Sequence, residues 1–299
     1  MTRTLITGIA GFTGRYLTSL LAERGHEVHG VVHQIPVDPV IDATGVHVAD
    51  LADRAAIARV VEDVRPDHVV HLAAIAFVGH DDIQDMYRSN IVGTRQLLDS
   101  LSLMQHRPAS VIVASSANVY GNARAGILDE SMPLAPVNDY GVTKVATEYV
   151  ARIYASKLPL IVVRPFNYTG RGQSEHFLIP KIIAHARRRA PVIELGNLDV
   201  ARDFSDVRSV AESYARLLGA SGAIGGTFNI CSGRGISLGA LIDMVAALTA
   251  HRMEVRVNPA FVRSDEVKTL AGSAARLEGV IGKLVDIPLP ETLRWMLEE

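Results

Sequence analysis

The chain has 299 residues, 48% hydrophobic and 21% charged, the balance of a soluble globular protein and not of a disordered, collagen-like or coiled-coil chain. Lys+Arg 30 against Asp+Glu 32 leaves a net charge of -2, with no block of like charge long enough to grip a polyanion, so no nucleic-acid partner is expected. The single cysteine, Cys231, excludes an internal disulfide, and the eleven histidines are scattered without ligand spacing, so no metal is expected either. The opening residues Met1 to Thr7 run straight into a glycine-rich turn, unlike a signal peptide. No stretch reaches the roughly 18–20 consecutive apolar residues that cross a bilayer, so a cytoplasmic protein with no membrane partner is expected.

Short β-branched runs alternate with segments of helical period. Thr4 to Thr7 predicts a strand, Thr13 to Arg24 a helix ending at Gly25, and Glu27 to Val32 and Val46 to Ala49 two more strands. A helix over Ala55 to Val64 stops before Pro66, and His68 to Leu72 and Ser110 to Ala114 read as buried strands flanking a helix from Ile83 to Met104. A long helix, Tyr140 to Ser156, then feeds the strand Leu160 to Val163. Strict strand–helix alternation predicts an α/β fold with a Rossmann-type doubly wound parallel sheet. After Arg164-Pro165 the rhythm breaks into a Gly- and Asn-rich loop, Phe166 to Gln173, and a basic helix, Phe177 to Arg189. Ligands of open α/β sheets sit outside the carboxyl ends of the strands, so a smaller, discontinuous C-terminal lobe is expected to cover that edge. The expected division is 1–163 plus about 203–234 for the sheet domain, and about 164–202 plus 235–299 for the lobe.

The first turn reads Thr7-Gly8-Ile9-Ala10-Gly11-Phe12-Thr13-Gly14, between a strand and a helix. Gly8 allows the sharp exit, Gly11 lets the backbone approach a pyrophosphate, and Gly14 allows close packing of a helix whose N-terminal amides attract the anion. This pattern predicts a dinucleotide site; the alternative is an ordinary tight turn. The second strand ends Val31-Val32-His33-Gln34, without the carboxylate that holds a ribose 2′-hydroxyl in NAD sites. His33 is therefore placed either beside a 2′-phosphate or in a solvated loop. Asp50, followed by Leu51, either accepts from an adenine amino group or caps the next helix. Tyr140 alone among the eight tyrosines has Lys at i+4, Lys144, on the same helical face. A nearby ammonium lowers a phenol pKa, which predicts a proton donor or acceptor at Tyr140. Ser115-Ser116 follows the fifth strand and puts hydroxyls at the same sheet edge, unless both merely form a turn.

Together these residues resemble the extended short-chain dehydrogenase/reductases that act on nucleotide sugars. The resemblance spans essentially the whole chain. It rests on Thr7-Gly8-x-x-Gly11-x-x-Gly14, Asp50-Leu51, His71-Leu72-Ala73-Ala74, Asn90-Ile91-Val92-Gly93-Thr94, the serine segment, Tyr140-Gly141-x-x-Lys144 and Arg164-Pro165-Phe166-Asn167. It implies a catalytic set of Ser116, Tyr140 and Lys144, with Ser115 structural. It implies NADP(H) or NAD(H) as cofactor, leaning to NADP(H), contacted by Gly8, Gly11, Phe12, Thr13, Gly14, His33, Asp50, Leu51, Leu72, Ala73, Ala74, Asn90, Tyr140, Lys144 and Arg164.

The second lobe looks most like the GDP-mannose dehydratase and GDP-6-deoxymannose reductase branch, through Leu195-Gly196-Asn197-Leu198-Asp199-x-x-Arg202-Asp203 and Arg263-Ser264-Asp265-Glu266-Val267. A GDP-linked deoxyhexose is the implied substrate, held by Ser116, Asn118, Asn167, Lys181, Arg202, Arg263 and Glu266, with reduction of its C4 ketone the implied reaction and a 4-epimerase or 4,6-dehydratase the alternative. In the dehydratases of this branch a glutamate stands two residues after the catalytic Ser or Thr. Here that position is Asn118, whose other role is to cap a turn. The family also implies a homodimer through the helices near 83–104 and 140–156.

Overall fold

The first strand, β1 (Thr2–Thr7), buries Leu5 and Ile6 completely, in hydrophobic clusters on opposite faces of the sheet. A strand covered on both sides in this way belongs to a parallel sheet interior. The computed structural model describes residues 1–76, 82–122, 126–198, 200–259 and 269–298. After β1 the chain forms α1 (Phe12–Glu23), β2 (His26–Val32), β3 (Gly45–Val48), α2 (Arg54–Val64), β4 (His68–His71), α3 (Ile83–Tyr87), α4 (Gly93–Leu103) and β5 (Ser110–Ala114). There follow β6 (Gly126–Leu128), α5 (Asp139–Tyr154), β7 (Leu160–Pro165), β8 (Asn167–Thr169), α6 (Leu178–Arg187), β9 (Val192–Leu195), β10 (Ala201–Asp206), α7 (Val207–Leu218) and β11 (Thr227–Ile230). The last elements are β12 (Gly235–Ser237), α8 (Leu238–Thr249), β13 (Glu254–Val257), β14 (Thr269–Gly272), α9 (Ala275–Ile281) and α10 (Leu289–Leu297).

The main sheet runs β11-β7-β5-β4-β1-β2-β3, with every pair parallel. Helices α1, α7 and α9 cover one face, and α2, α4 and α5 the other. This is the doubly wound sheet read from the sequence. Strand order reverses between β1 and β4, which opens a crevice at their carboxyl ends.

A second sheet, β12-β10-β14-β6 with β8 against β10, stands beside helices α6, α8 and α10, which close their own apolar cluster. Two segments differ from the expected division. β6 joins the second sheet from within 1–163, and α9 buries Leu277 against the main sheet from within 235–299. Neither carries a usable signal: β6 is three residues long with Gly126 and Ile127 exposed, and α9 has seven residues. The helix expected over Ile83 to Met104 is interrupted by a π-helical turn, Arg88–Val92, whose extra residue turns Asn90 inward. No described helix is long and apolar enough to cross a membrane.

Candidate active site

A cavity of about 320 Å³ opens at the carboxyl ends of β1, β4 and β5, under the second sheet. Its floor is the turn after β1. Gly8 sits at φ +73°, and a Cβ there would come within 2.9 Å of the Ala73 backbone. At Gly14 a Cβ would lie 2.5 Å from the carbonyl oxygens of both Gly8 and Ile9. Only glycine lets α1 begin this close to β1, so that its free amides point into the cavity. That cradle fits the pyrophosphate of a dinucleotide.

The chemistry-bearing side chains come from two elements. Ser116 follows β5 and caps the one-turn 3₁₀ helix Ala117–Tyr120, its Oγ accepting from the backbone N–H and the Nδ2 of Asn118, both at 3.1 Å. Asn138 caps α5 by accepting from Gly141 N at 2.8 Å, which fixes Tyr140 and Lys144 on the helix face turned to the sheet edge. Ser116 is close enough to Tyr140 to act on its phenol, and both line the cavity beside Asn118. Lys144 is buried, donates to the Ala114 carbonyl at 2.8 Å, and holds Nζ 5.8 Å from the Tyr140 ring centroid.

The electrostatics differ from the sequence expectation. Burial pushes the Tyr140 phenol well above its usual range, opposed by the Ser116 hydrogen bond, and the ammonium of Lys144 does not reverse this. Burial also pulls Lys144 down to about 8, while Glu148, one turn further on, raises it. The phenol therefore stays protonated at neutral pH and is an acid, not a phenolate. Lys144 is charged below about 8 and loses its charge above. Turnover is accordingly expected to fall as pH rises through that value, read from a pH–rate profile in which a plateau beyond pH 9 would speak against the assignment.

Several expected cofactor contacts are elsewhere. Arg164 is buried and spent on structure: Nε and Nη2 donate to the Glu148 carboxylate at 2.8 and 2.7 Å, and Nη1 to the Tyr120 hydroxyl at 3.0 Å. Its guanidinium faces this ion pair and not the cavity. Asn90, on the π-helical turn, accepts from Ile75 N at 2.8 Å and donates to Ile75 O and Thr143, so it clamps the exit of β4 to α5. Asp50 does not cap α2, a role that Asp53 takes; its carboxylate accepts from Ala52 N and pairs with Arg88. Leu51 packs among the apolar side chains beneath the sheet, and His33 is exposed next to β2. Gly11, Phe12, Thr13, Leu72 and Ala74 do line the cavity, with Ala73 held against Thr7 by its N–H.

The substrate set is dispersed. Asn167 lines the cavity and donates to the Asp203 carbonyl at 3.2 Å. Lys181 donates to the Glu194 carbonyl at 2.9 Å, and Arg202 bonds its neighbour's Ala201 carbonyl at 2.9 Å; neither lines the cavity. Arg263 and Glu266 lie outside the described residues.

The fold and this site can be set against known proteins. Residues 4–231 match the model of the NAD-dependent epimerase/dehydratase family. The chain belongs to that family. Among its relatives, a GDP-6-deoxy-D-talose 4-dehydrogenase of Aggregatibacter actinomycetemcomitans is 35% identical over 93% of this chain and 90% of its own length. A GDP-6-deoxy-D-mannose reductase of Pseudomonas aeruginosa is 31% identical over 99% and 96%. Of the solved structures, a Burkholderia cenocepacia J2315 protein provisionally described as an epimerase superposes with a TM-score of 0.94 at 47% identity, covering 99% and 97% of the two chains. RMD from Pseudomonas aeruginosa, complexed with NADPH, gives 0.84 at 29% identity over 100% and 98%. The chain is thus a nucleotide-sugar-modifying enzyme of the extended short-chain dehydrogenase/reductase type.

The family's sequence marks do not disclose the upper wall of the cavity. Tyr168 of β8 is partly buried, hydrogen-bonds Thr13 Oγ1 at 2.7 Å and stacks on Phe12 with centroids 6.0 Å apart, so it ties the second sheet to the glycine turn. Phe177, Ile179 and Phe204 complete an apolar wall. Only the one-residue alternation around β8 could have signalled Tyr168, and three residues are too few for that signal to stand out.

Proposed function

We propose that the chain reduces the C4 ketone of a GDP-linked 4-keto-6-deoxyhexose, converting GDP-4-keto-6-deoxy-D-mannose to GDP-D-rhamnose. The observation that carries this reading is the charge content of the cavity. Among its described lining residues there is no carboxylate, and Tyr140, beside Ser116, is the acid that faces it. A 4,6-dehydratase needs a base at C5, and Asn118 stands where that carboxylate is expected; an amide does not accept a proton near neutral pH. A ketone reductase needs a proton donor and oxyanion stabilisation, which Tyr140 and Ser116 can supply.

Gly8, Gly11, Thr13 and Gly14 with the amides of α1 would hold the pyrophosphate, and Lys144 the nicotinamide ribose. A reduced nicotinamide, when bound, supplies the hydride. Tyr140 then delivers the proton to the carbonyl oxygen, Ser116 donates a hydrogen bond to that oxygen as charge develops, and Lys144 keeps the local field positive. NADP(H) is favoured over NAD(H) because β2 ends without an acid at His33 and Gln34. Asn167, Lys181, Arg202, Arg263 and Glu266 are assigned to the GDP-sugar. A homodimer through α3, α4 and α5 is supported by exposed Ile83, Val92, Tyr149 and Ile153 on those elements and the turn between them.

Incubation with GDP-mannose and catalytic NADP⁺ is expected to give no 4-keto product. With GDP-4-keto-6-deoxy-D-mannose, one equivalent of NADPH is consumed for each sugar reduced, and NMR of the product reads the C4 configuration. A 4-keto product from GDP-mannose would establish a dehydratase instead, and interconversion without net cofactor consumption an epimerase.

A further inference from the structure

The carboxyl end of β2 is where a Rossmann site distinguishes a ribose 2′-hydroxyl from a 2′-phosphate. Here Val32 pairs with Val48 and Ala49 N donates to Val32 O at 2.9 Å, so His33, one residue past Val32, and Asp50, two past Val48, leave neighbouring strands at the same end of the sheet. The two are near enough for His33 to act on the Asp50 charge. No acid occupies the end of β2, and a strong cation reaches the nearby Asp50 from far along the chain. Arg88, at the start of the π-helical turn, donates Nη2 to the Asp50 carboxylate. Among the described residues Asp50 is the only hydrogen-bond partner of the Arg88 guanidinium, so Nε and Nη1 have no protein acceptor, and the side chain is 52% exposed.

Arg15, which directly follows Gly14, is the other arginine near this end, and it is committed. Its Nε donates to Ala10 O at 3.0 Å, and Nη1 and Nη2 to Pro39 O and Asp38 O at 2.8 Å each. All three nitrogens hold the loop after β2 against the glycine turn, which leaves one N–H on each Nη and fixes the direction in which it points. Arg88 is different: anchored on one side by a carboxylate, it presents the rest of its fork to solvent, the geometry that binds a phosphate through paired charged hydrogen bonds.

We propose that Arg88, seated by Asp50 and flanked by His33, is the residue by which this chain reads the 2′-phosphate of NADP(H). This rests on the dinucleotide function proposed above and assigns its specificity to one side chain. It also gives Asp50 a second role, as the anchor of that side chain.

Calorimetric titration with NADPH and NADH, without sugar substrate, tests it. The wild-type protein is expected to bind NADPH at least about tenfold more tightly, as a charged hydrogen-bonded contact implies. Arg88→Met should remove most of that preference while leaving NADH affinity and the melting temperature unchanged, and the wild-type preference should shrink at high salt. Equal wild-type affinities, or a preference that survives in Arg88→Met, would overturn the assignment while leaving the dinucleotide function intact. Absence of binding by both dinucleotides would refute that function itself.

Discussion

Replacing Tyr140 by phenylalanine is expected to lower turnover by about 10²–10⁴-fold while the affinity for the dinucleotide is largely retained. The ring is buried and contributes packing that phenylalanine keeps, so the change removes only the hydroxyl, which lies beside Ser116. No other described group is placed to replace it. Tyr168 also lines the cavity, but its hydroxyl is held by Thr13 Oγ1 at 2.7 Å, on the glycine turn and away from Ser116. Burial keeps the Tyr140 phenol protonated across the neutral range, which is the state a reductase needs at the start of each turnover. Measurement of kcat and of dinucleotide binding on the same preparation separates the two effects. A Tyr140→Phe protein turning over within about threefold of wild type would move the proton donor elsewhere, since positioned acids contribute far more than that.

Much of this site was legible because its parts are local. The glycine turn, Ser116 and the Tyr140–Lys144 pair each occupy a few consecutive residues whose spacing already states the geometry, and the apolar runs of β1, β4, β5 and β7 required a sheet buried on both faces. What stayed hidden depends on distant juxtaposition or on competition for a side chain. Arg164 looked available for a cofactor until Glu148, sixteen residues earlier, was seen to absorb two of its nitrogens. Arg88 and Asp50 are 38 residues apart, and only the π-helical turn brings them together. Proximity of Lys144 to Tyr140 implied a lowered phenol pKa, but helical spacing says nothing of desolvation, and in a buried pocket desolvation is the larger effect.

Glu148→Gln is expected to cost about 3–5 kcal/mol of stability, because it leaves the Arg164 guanidinium buried without a counter-charge. The two side chains are 1% and 3% exposed, and the carboxylate also accepts from Ser115 Oγ at 2.6 Å. Through Tyr120 the network continues to Asn229, whose Nδ2 donates to Leu128 O at 3.0 Å, so one ion pair links β5, α5 and β7 to β11 and β6. Glutamine preserves the volume and one acceptor but turns an amide N–H₂ toward donors that need an acceptor. Denaturant unfolding should show the loss, and the double variant Glu148→Gln/Arg164→Met should lose less than the two single variants added together, since both charges are then gone. The same carboxylate raises the Lys144 ammonium against the effect of burial, so in the Gln variant the alkaline limb of the rate profile should move to lower pH. A loss below about 1 kcal/mol, the range of exposed pairs, would mean that water reaches Arg164 and that the pair is not the buried link between the two sheets.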